Sequence, residues 1–143
     1  MLFIQKYIDI LKQIDEDFNR SEFFPPARKE DILRFEKTKG IKIPESYKKF
    51  LALSDGASLS GGSINLYGVN SSGFQIGYDF SEHSVPKELI IIGYKDSEHI
   101  CYYPEKNIFL FYEYQDLEGI EEECISFQDF DEVLEYLADI LTS

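Results

Sequence analysis

The chain has no tryptophan, one methionine, two cysteines and two histidines in 143 residues. Each shortage narrows the chemistry available. Two imidazoles, His83 and His99, give little from which to build a metal centre, and Cys101 and Cys124 lack the CxxC or Cys/His spacing of a zinc or redox site. Asp79, Glu82 and His83 would converge only on a helix, whereas Ser81 and Ser84 mark that segment as a loop. No metal and no cofactor are therefore expected, and both cysteines read as reduced packing residues in strand-like segments. Long apolar runs are also missing: nothing approaches the roughly 20 residues that span a bilayer. Gln5, Lys6, Asp9, Lys12 and Gln13 interrupt the apolar residues of the N-terminus, where a secretion signal needs an unbroken stretch. The expectation is a mature chain that begins near Met1, stays in the cytosol and does not enter membranes.

The shortage of basic residues is the most informative, because it is local. From Met1 to Gly61 there are 11 Lys and Arg against 10 Asp and Glu; from Gly62 to Lys106 there are 3 against 6. From Asn107 to Ser143 there are none against 11, so most of the net charge of −13 lies in the last quarter. Such a field repels phosphate backbones and anionic lipid, and it speeds encounter with basic surfaces. Nucleic acid and membranes are thus poor partners.

What remains is ample for a core. The chain is 43% hydrophobic, with 12 Phe and 10 Tyr, and its length suits one domain that buries about two-thirds of the unfolded surface. No repeat, low-complexity tract or linker divides it, so residues 1–143 read as one domain.

Periodicity supplies the elements. Phe3, Tyr7, Ile10, Leu11, Ile14 and Phe18 form a helical stripe. After Pro25-Pro26, a second helix is expected from Arg28 to Lys39, ended by Gly40. A third has Pro44 in its first turn, Tyr47, Phe50 and Leu51 on its inner face, and Asp55-Gly56 at its end. Past a loop at Gly56 to Gly62 the period falls to two. Strands are expected near Ile64 to Val69, Phe74 to Phe80, Leu89 to Tyr94, His99 to Tyr103 and Ile108 to Tyr114, with a possible short one at Glu123 to Ser126. Polar turns at Lys95 to Glu98 and Pro104 to Asn107 favour antiparallel pairing. Ser126 and Asp129 then look like the cap of a last helix that buries Phe130, Val133, Leu134, Leu137 and Leu141. The expected fold is α+β: N-terminal helices, a mainly antiparallel sheet of about five or six strands, and a C-terminal helix packed on that sheet.

No catalytic centre emerges. Gly56-Ala57-Ser58-Leu59-Ser60 misses the final glycine of a nucleophile elbow and follows a helix instead of a strand. The same loop lacks the Lys-Ser/Thr ending of a phosphate-binding loop. His99, beside Glu98 at a turn, reads as a surface histidine. Tyr102, Tyr103, Phe109, Phe111, Tyr112 and Tyr114 resemble a base-stacking platform, but Glu105, Glu113 and Asp116 beside them would repel phosphate, so these aromatics read as core. Asp131, Glu135 and Asp139 fall at i, i+4 and i+8 along one exposed helix edge, a spacing that costs a helix stability. Asp139 also meets the negative end of the helix dipole.

Ile32-x-x-Phe35-Glu36, then Gly40-Ile41-x-Ile43-Pro44-x-x-Tyr47-x-x-Phe50-Leu51-x-x-Ser54-Asp55-Gly56, resembles the signature of the SUKH superfamily. That group includes fungal cell-wall assembly regulators and many bacterial immunity proteins. The matching residues Ile32, Phe35, Glu36, Gly40, Pro44, Tyr47, Phe50, Asp55 and Gly56 read as scaffold. Asp55 stands where the family commonly has asparagine, and the tryptophan of many members is missing. The resemblance implies a non-catalytic, cytosolic immunity protein that binds and neutralises a cognate toxin domain, one that is basic and nuclease-like. Its partner-facing residues would be Glu121, Glu122, Glu123, Asp131, Glu135 and Asp139, with Asp96 and Glu98 from a turn. The alternative is a regulatory or scaffolding module that docks on a host protein. A third reading is a small-ligand binder or enzyme using the loops at Gly61-Gly62 and Asp79 to His83.

Overall fold

The computed structural model describes residues 3–13, 21–70, 74–78, 85–113 and 117–142. Helices α1 (Phe3–Gln13), α2 (Lys29–Lys39) and α3 (Glu45–Leu51) lead into the sheet, with strand β1 (Glu22–Phe23) between the first two. Strands β2 (Ala57–Leu59), β3 (Ile64–Leu66), β4 (Ile90–Lys95), β5 (Glu98–Tyr103) and β6 (Ile108–Tyr112) follow. A one-turn helix α4 (Ile120–Glu123), strand β7 (Ser126–Phe127) and helix α5 (Phe130–Thr142) close the chain. The seven strands pair in chain order, each antiparallel to the next. The class is α+β, with α5 packed on the sheet.

The helices end where local chemistry stops them. Gly40 takes the left-handed conformation (φ 66°) after α2, and its N–H donates to the Glu36 carbonyl. Pro44 immediately precedes α3, where its missing N–H costs nothing. Ahead of α5, the Glu132 amide donates to Asp129 Oδ1 at 3.0 Å and the Gln128 amide to Glu132 Oε1 at 2.8 Å. The cap of α5 is therefore Asp129, three residues later than the Ser126 and Asp129 pairing expected from sequence, and Ser126 belongs to β7.

Register divides the sheet into two faces, since side chains alternate along each strand. Ile100, Tyr102, Phe109, Phe111 and Phe127 share one face. Phe130 of α5 sits on it, its ring 4.6 Å from Tyr47 edge-on, 5.2 Å from Phe50 and 5.8 Å from Phe109. Tyr136 meets Phe111 and Phe127 one and a half turns later. Helix α1 lies along α5 and buries Ile4, Tyr7, Ile8 and Leu11. The opposite face carries His99, Cys101, Tyr103, Ile108, Leu110 and Tyr112, all buried. Tyr103 lines a depression with Leu117 to Ile120, so the chain leading into α4 covers that face. Full coverage explains why β5 and β6 read as continuous apolar runs.

Several expectations are corrected. His99 is 3% exposed on β5, with its ring 5.6 Å from that of Tyr94; it is an interior histidine, not a surface one. The alternation of Phe74, Ile76 and Tyr78 does not make a strand among the described residues. Gly77 takes φ 95° there, and the segment keeps one bridge, Gly68 to Gln75. The expected loop from Gly56 contains β2, and of the short strand expected at Glu123 to Ser126, Glu123 ends α4 and Ser126 begins β7. Ile14, Phe18, Asp79, Phe80, Glu82, His83 and Tyr114 lie outside the described residues.

Candidate protein-binding surface

The residues that carry the family resemblance form one joint between α2, α3 and the sheet. Glu36 on α2 accepts the Ile43 amide at 2.8 Å through Oε2 and meets Lys48 Nζ at 3.3 Å through Oε1. One carboxylate thereby fixes the turn and the following helix. The Tyr47 hydroxyl donates to the Tyr67 carbonyl, with that of Ile92 at 3.2 Å, which ties α3 to the sheet. Burial, with the nearby Asp55 carboxylate, pushes the Tyr47 phenol well above its usual range. Ser54 accepts the Phe24 amide at 3.0 Å and donates to the Gly56 carbonyl at 2.6 Å.

Asp55 is the centre of this joint. It is 3% exposed, and its two oxygens accept the amides of Val69 at 2.7 Å and Asn70 at 3.0 Å. Two backbone donors without another secondary-structure partner are thus satisfied, and the carboxylate is engaged in holding the chain. Gly68 is needed beside it, because a Cβ there would fall on the Asp55 carboxylate. Gly56 combines φ 91° with a Cβ direction only 2.6 Å from the Leu66 carbonyl oxygen, so a side chain is excluded on two counts. These contacts hold α3 to the sheet.

The acidic residues proposed from sequence come from the β4–β5 turn, α4 and α5. The first group is that of the turn and α4. Asp96 sits in that turn at φ 54°, largely exposed, with Lys95 Nζ 3.4 Å from it and 3.9 Å from Glu98. Burial first, and then the charges of Glu123 and Glu98, push the Cys124 thiol up to about 11. Glu98 and Glu123 thus both lie within electrostatic reach of Cys124, whereas Glu122 lines a depression with Tyr103 and Lys106 towards the β5–β6 turn. Glu122 and Glu123 are exposed, and the side chain of Glu121 lies outside what is described. Ile125 follows at once and is 50% exposed, an apolar side chain at the acidic edge of the sheet.

The second group lies on α5. The Tyr7 hydroxyl donates to Glu135 Oε2 at 2.7 Å. That bond, burial, and the charges of Glu135, Asp139 and Asp131 raise the Tyr7 phenol from 10.0 to about 12. The row therefore borders α1. Glu135 and Asp139 are exposed, but Asp131 is half-buried, unlike the exposed edge expected. Its carboxyl is raised by burial and by Asp129, with Lys49 opposing.

Sequence reasoning missed Ile125, whose exposure depends on β7 being an edge strand only two residues long. Its position directly after an acidic run was the one available signal. Among the described residues, no group of three or more His, Cys, Asp and Glu is arranged to hold a metal. No described helix is long and apolar enough to cross a membrane. Ser58 lies on β2, half-buried and opposite Asn65, and Gly61-Gly62 form a single tight turn.

Fold and joint together define a small α+β domain whose signature residues are structural. The model of the SMI1 / KNR4 family (SUKH-1) matches residues 26–136, and the chain belongs to that family. Comparisons with curated proteins and with solved structures gave no significant match.

Proposed function

We propose that this domain is a non-catalytic protein-binding module, and specifically an immunity protein that binds and neutralises a cognate, basic toxin domain. The observation that supports this reading is the excess of acid in the last quarter of the chain, 11 Asp and Glu against no Lys or Arg, with Glu122, Glu123 and Ile125 all exposed within four residues of one another. An apolar anchor ringed by charge is how a protein interface combines burial with steering. Of the two acidic groups, this one is the better face: on α5, Glu135 already accepts from Tyr7 and Asp131 is half-buried. The domain works in the cytosol, where the toxin would act.

The second reading is a regulatory module that docks on a host protein, as the resemblance to cell-wall assembly regulators suggests. Both use a bonding surface without chemistry, and they differ in the partner. Co-expression with a toxin domain encoded beside this chain separates them. Rescue of growth together with a stable complex is expected from an immunity protein, and failure of both would leave the regulatory reading.

A further inference from the structure

A second surface, of opposite character, lies at the other end of the sheet. Three depressions adjoin there. The largest, about 800 Å³, runs from the α2–α3 turn past Lys87 and Ile90 to the β5–β6 turn and Gln128. A second, of about 260 Å³, shares Ile41, Lys87 and Ile90 with it. A third, of about 520 Å³, shares Ile41 and Gly77 and ends at Phe74 and Tyr78. Shared walls make them one trough, elongated beyond the span of a compact small ligand. Their linings include none of the eight acids considered above.

Two features mark the trough as a binding surface. Phe74 and Tyr78 are 46% and 45% exposed, with rings stacked at 5.0 Å and 13°. The turn between them is pinned: Gly68 donates to the Phe74 carbonyl at 2.9 Å, and Gly77 donates to that of Ile91 at 2.8 Å. The aromatic pair is therefore presented on a fixed backbone, which lowers the ordering cost of binding. The other feature is charge. Lys39, Lys42 and Lys87 line the trough and form no ion pair among the described residues. Of the two acids in the lining, Glu45 is met by Lys48 at 3.4 Å, which leaves Glu88. In a chain with 27 acids and 14 bases, three lysines outside any ion pair among the described residues, against the single remaining Glu88, make a local cationic strip.

We propose that this trough docks an extended, acidic protein segment whose apolar side chains pack on Phe74, Tyr78 and Ile41. Its carboxylates would meet Lys39, Lys42 and Lys87. A single-stranded nucleic acid offers stacking and negative charge as well, but it carries a phosphate at every nucleotide and would extend beyond three lysines into the field of a −13 molecule. A peptide can confine its charge to the strip. This surface is separate from the acidic face at Ile125, and its existence does not depend on that face binding a toxin.

The test is selection of short random peptides on the immobilised full chain, with a parallel selection on single-stranded oligonucleotides. Without the trough, a molecule of charge −13 would select basic peptides. The expected result is enrichment of peptides rich in Asp and Glu with interspersed apolar residues. Their affinity should fall about tenfold or more on the variant Lys39→Glu, Lys42→Glu, Lys87→Glu, and should weaken as salt rises. Chemical shifts perturbed by the peptide on the unsubstituted chain should cluster at Gly40, Ile41, Gly77 and Ile90, a readout that needs no variant to fold. Selection of basic or neutral peptides, no enrichment, or undiminished binding to the triple variant would overturn the proposal. Enrichment of oligonucleotides in place of peptides would overturn it too. So would self-association abolished by the same three substitutions, which would put a second copy of this chain in the trough.

Discussion

Asp55 shows how much of a side chain's role lies outside its local sequence. Its place at the end of the α3 signature, before Gly56, marks it as structural in the sequence alone. That it reaches forward to the amides of Val69 and Asn70 depends on where the chain returns after β3, which no local pattern encodes. Asp55→Ala should strand two backbone donors and cost about 2–4 kcal/mol in chemical denaturation. A loss below half a kcal/mol would show that water replaces the carboxylate. Tyr7 supports a pH prediction. Its phenol is raised to about 12 in the folded chain against 10.0 in an unfolded one, so the folded state holds that proton more tightly. The contribution is complete below pH 10 and is lost as pH rises through 12. Unsubstituted protein should therefore lose more stability than Tyr7→Phe across that window, when alkaline melting curves of the two are compared. His99 differs from its sequence reading at this same scale: a polar residue beside a turn looks exposed, whereas its face of β5 is buried.

Elements with strong periods were legible, and short ones were not. The stripes of α1 and α5 and the strands β4, β5 and β6 follow from spacing, because their burial repeats over several residues. Strands β1 and β7 have two residues each, too few for a period, and β2 consists of Ala57, Ser58 and Leu59, whose small residues look like a loop. The segment from Phe74 failed in the opposite sense: it alternates like a strand, but its aromatics stack on one another at the surface. Helix α5 also carries a testable cost. Asp139 faces the carboxyl end of the helix and adjoins Glu135 one turn earlier, an arrangement that disfavours the helix. Asp139→Lys should stabilise the domain by about 0.5–1 kcal/mol, seen as a higher melting temperature at low salt. A lower melting temperature would mean that the acid row is used within the fold itself.

At the scale of the whole molecule, the distribution of charge was fully legible and its geometry was not. The sequence predicts one acidic quarter; the fold distributes its acids over α4 and α5, with Asp96 and Glu98 at the β4–β5 turn. Sequence likewise gave no view of the trough, since Lys39, Lys42, Lys87 and the Phe74 and Tyr78 pair come from three separate segments. The molecule that results has an acidic, Ile125-bearing end and a cationic, aromatic end, each suited to a partner of opposite charge.

The central claim is that carboxylates at the β4–β5 turn and on α4 recruit a basic protein partner. The direct measurement is the association rate of the complex as ionic strength rises from about 0.05 to about 0.3 M, where screening shortens the reach of surface charge. It should be made for the unsubstituted chain and for the variant Asp96→Lys, Glu98→Lys, Glu122→Lys, Glu123→Lys. We predict a rate that falls steeply with salt, and a variant at least about tenfold slower at low salt with its melting temperature retained. A rate and salt dependence unchanged by the four substitutions would contradict the account.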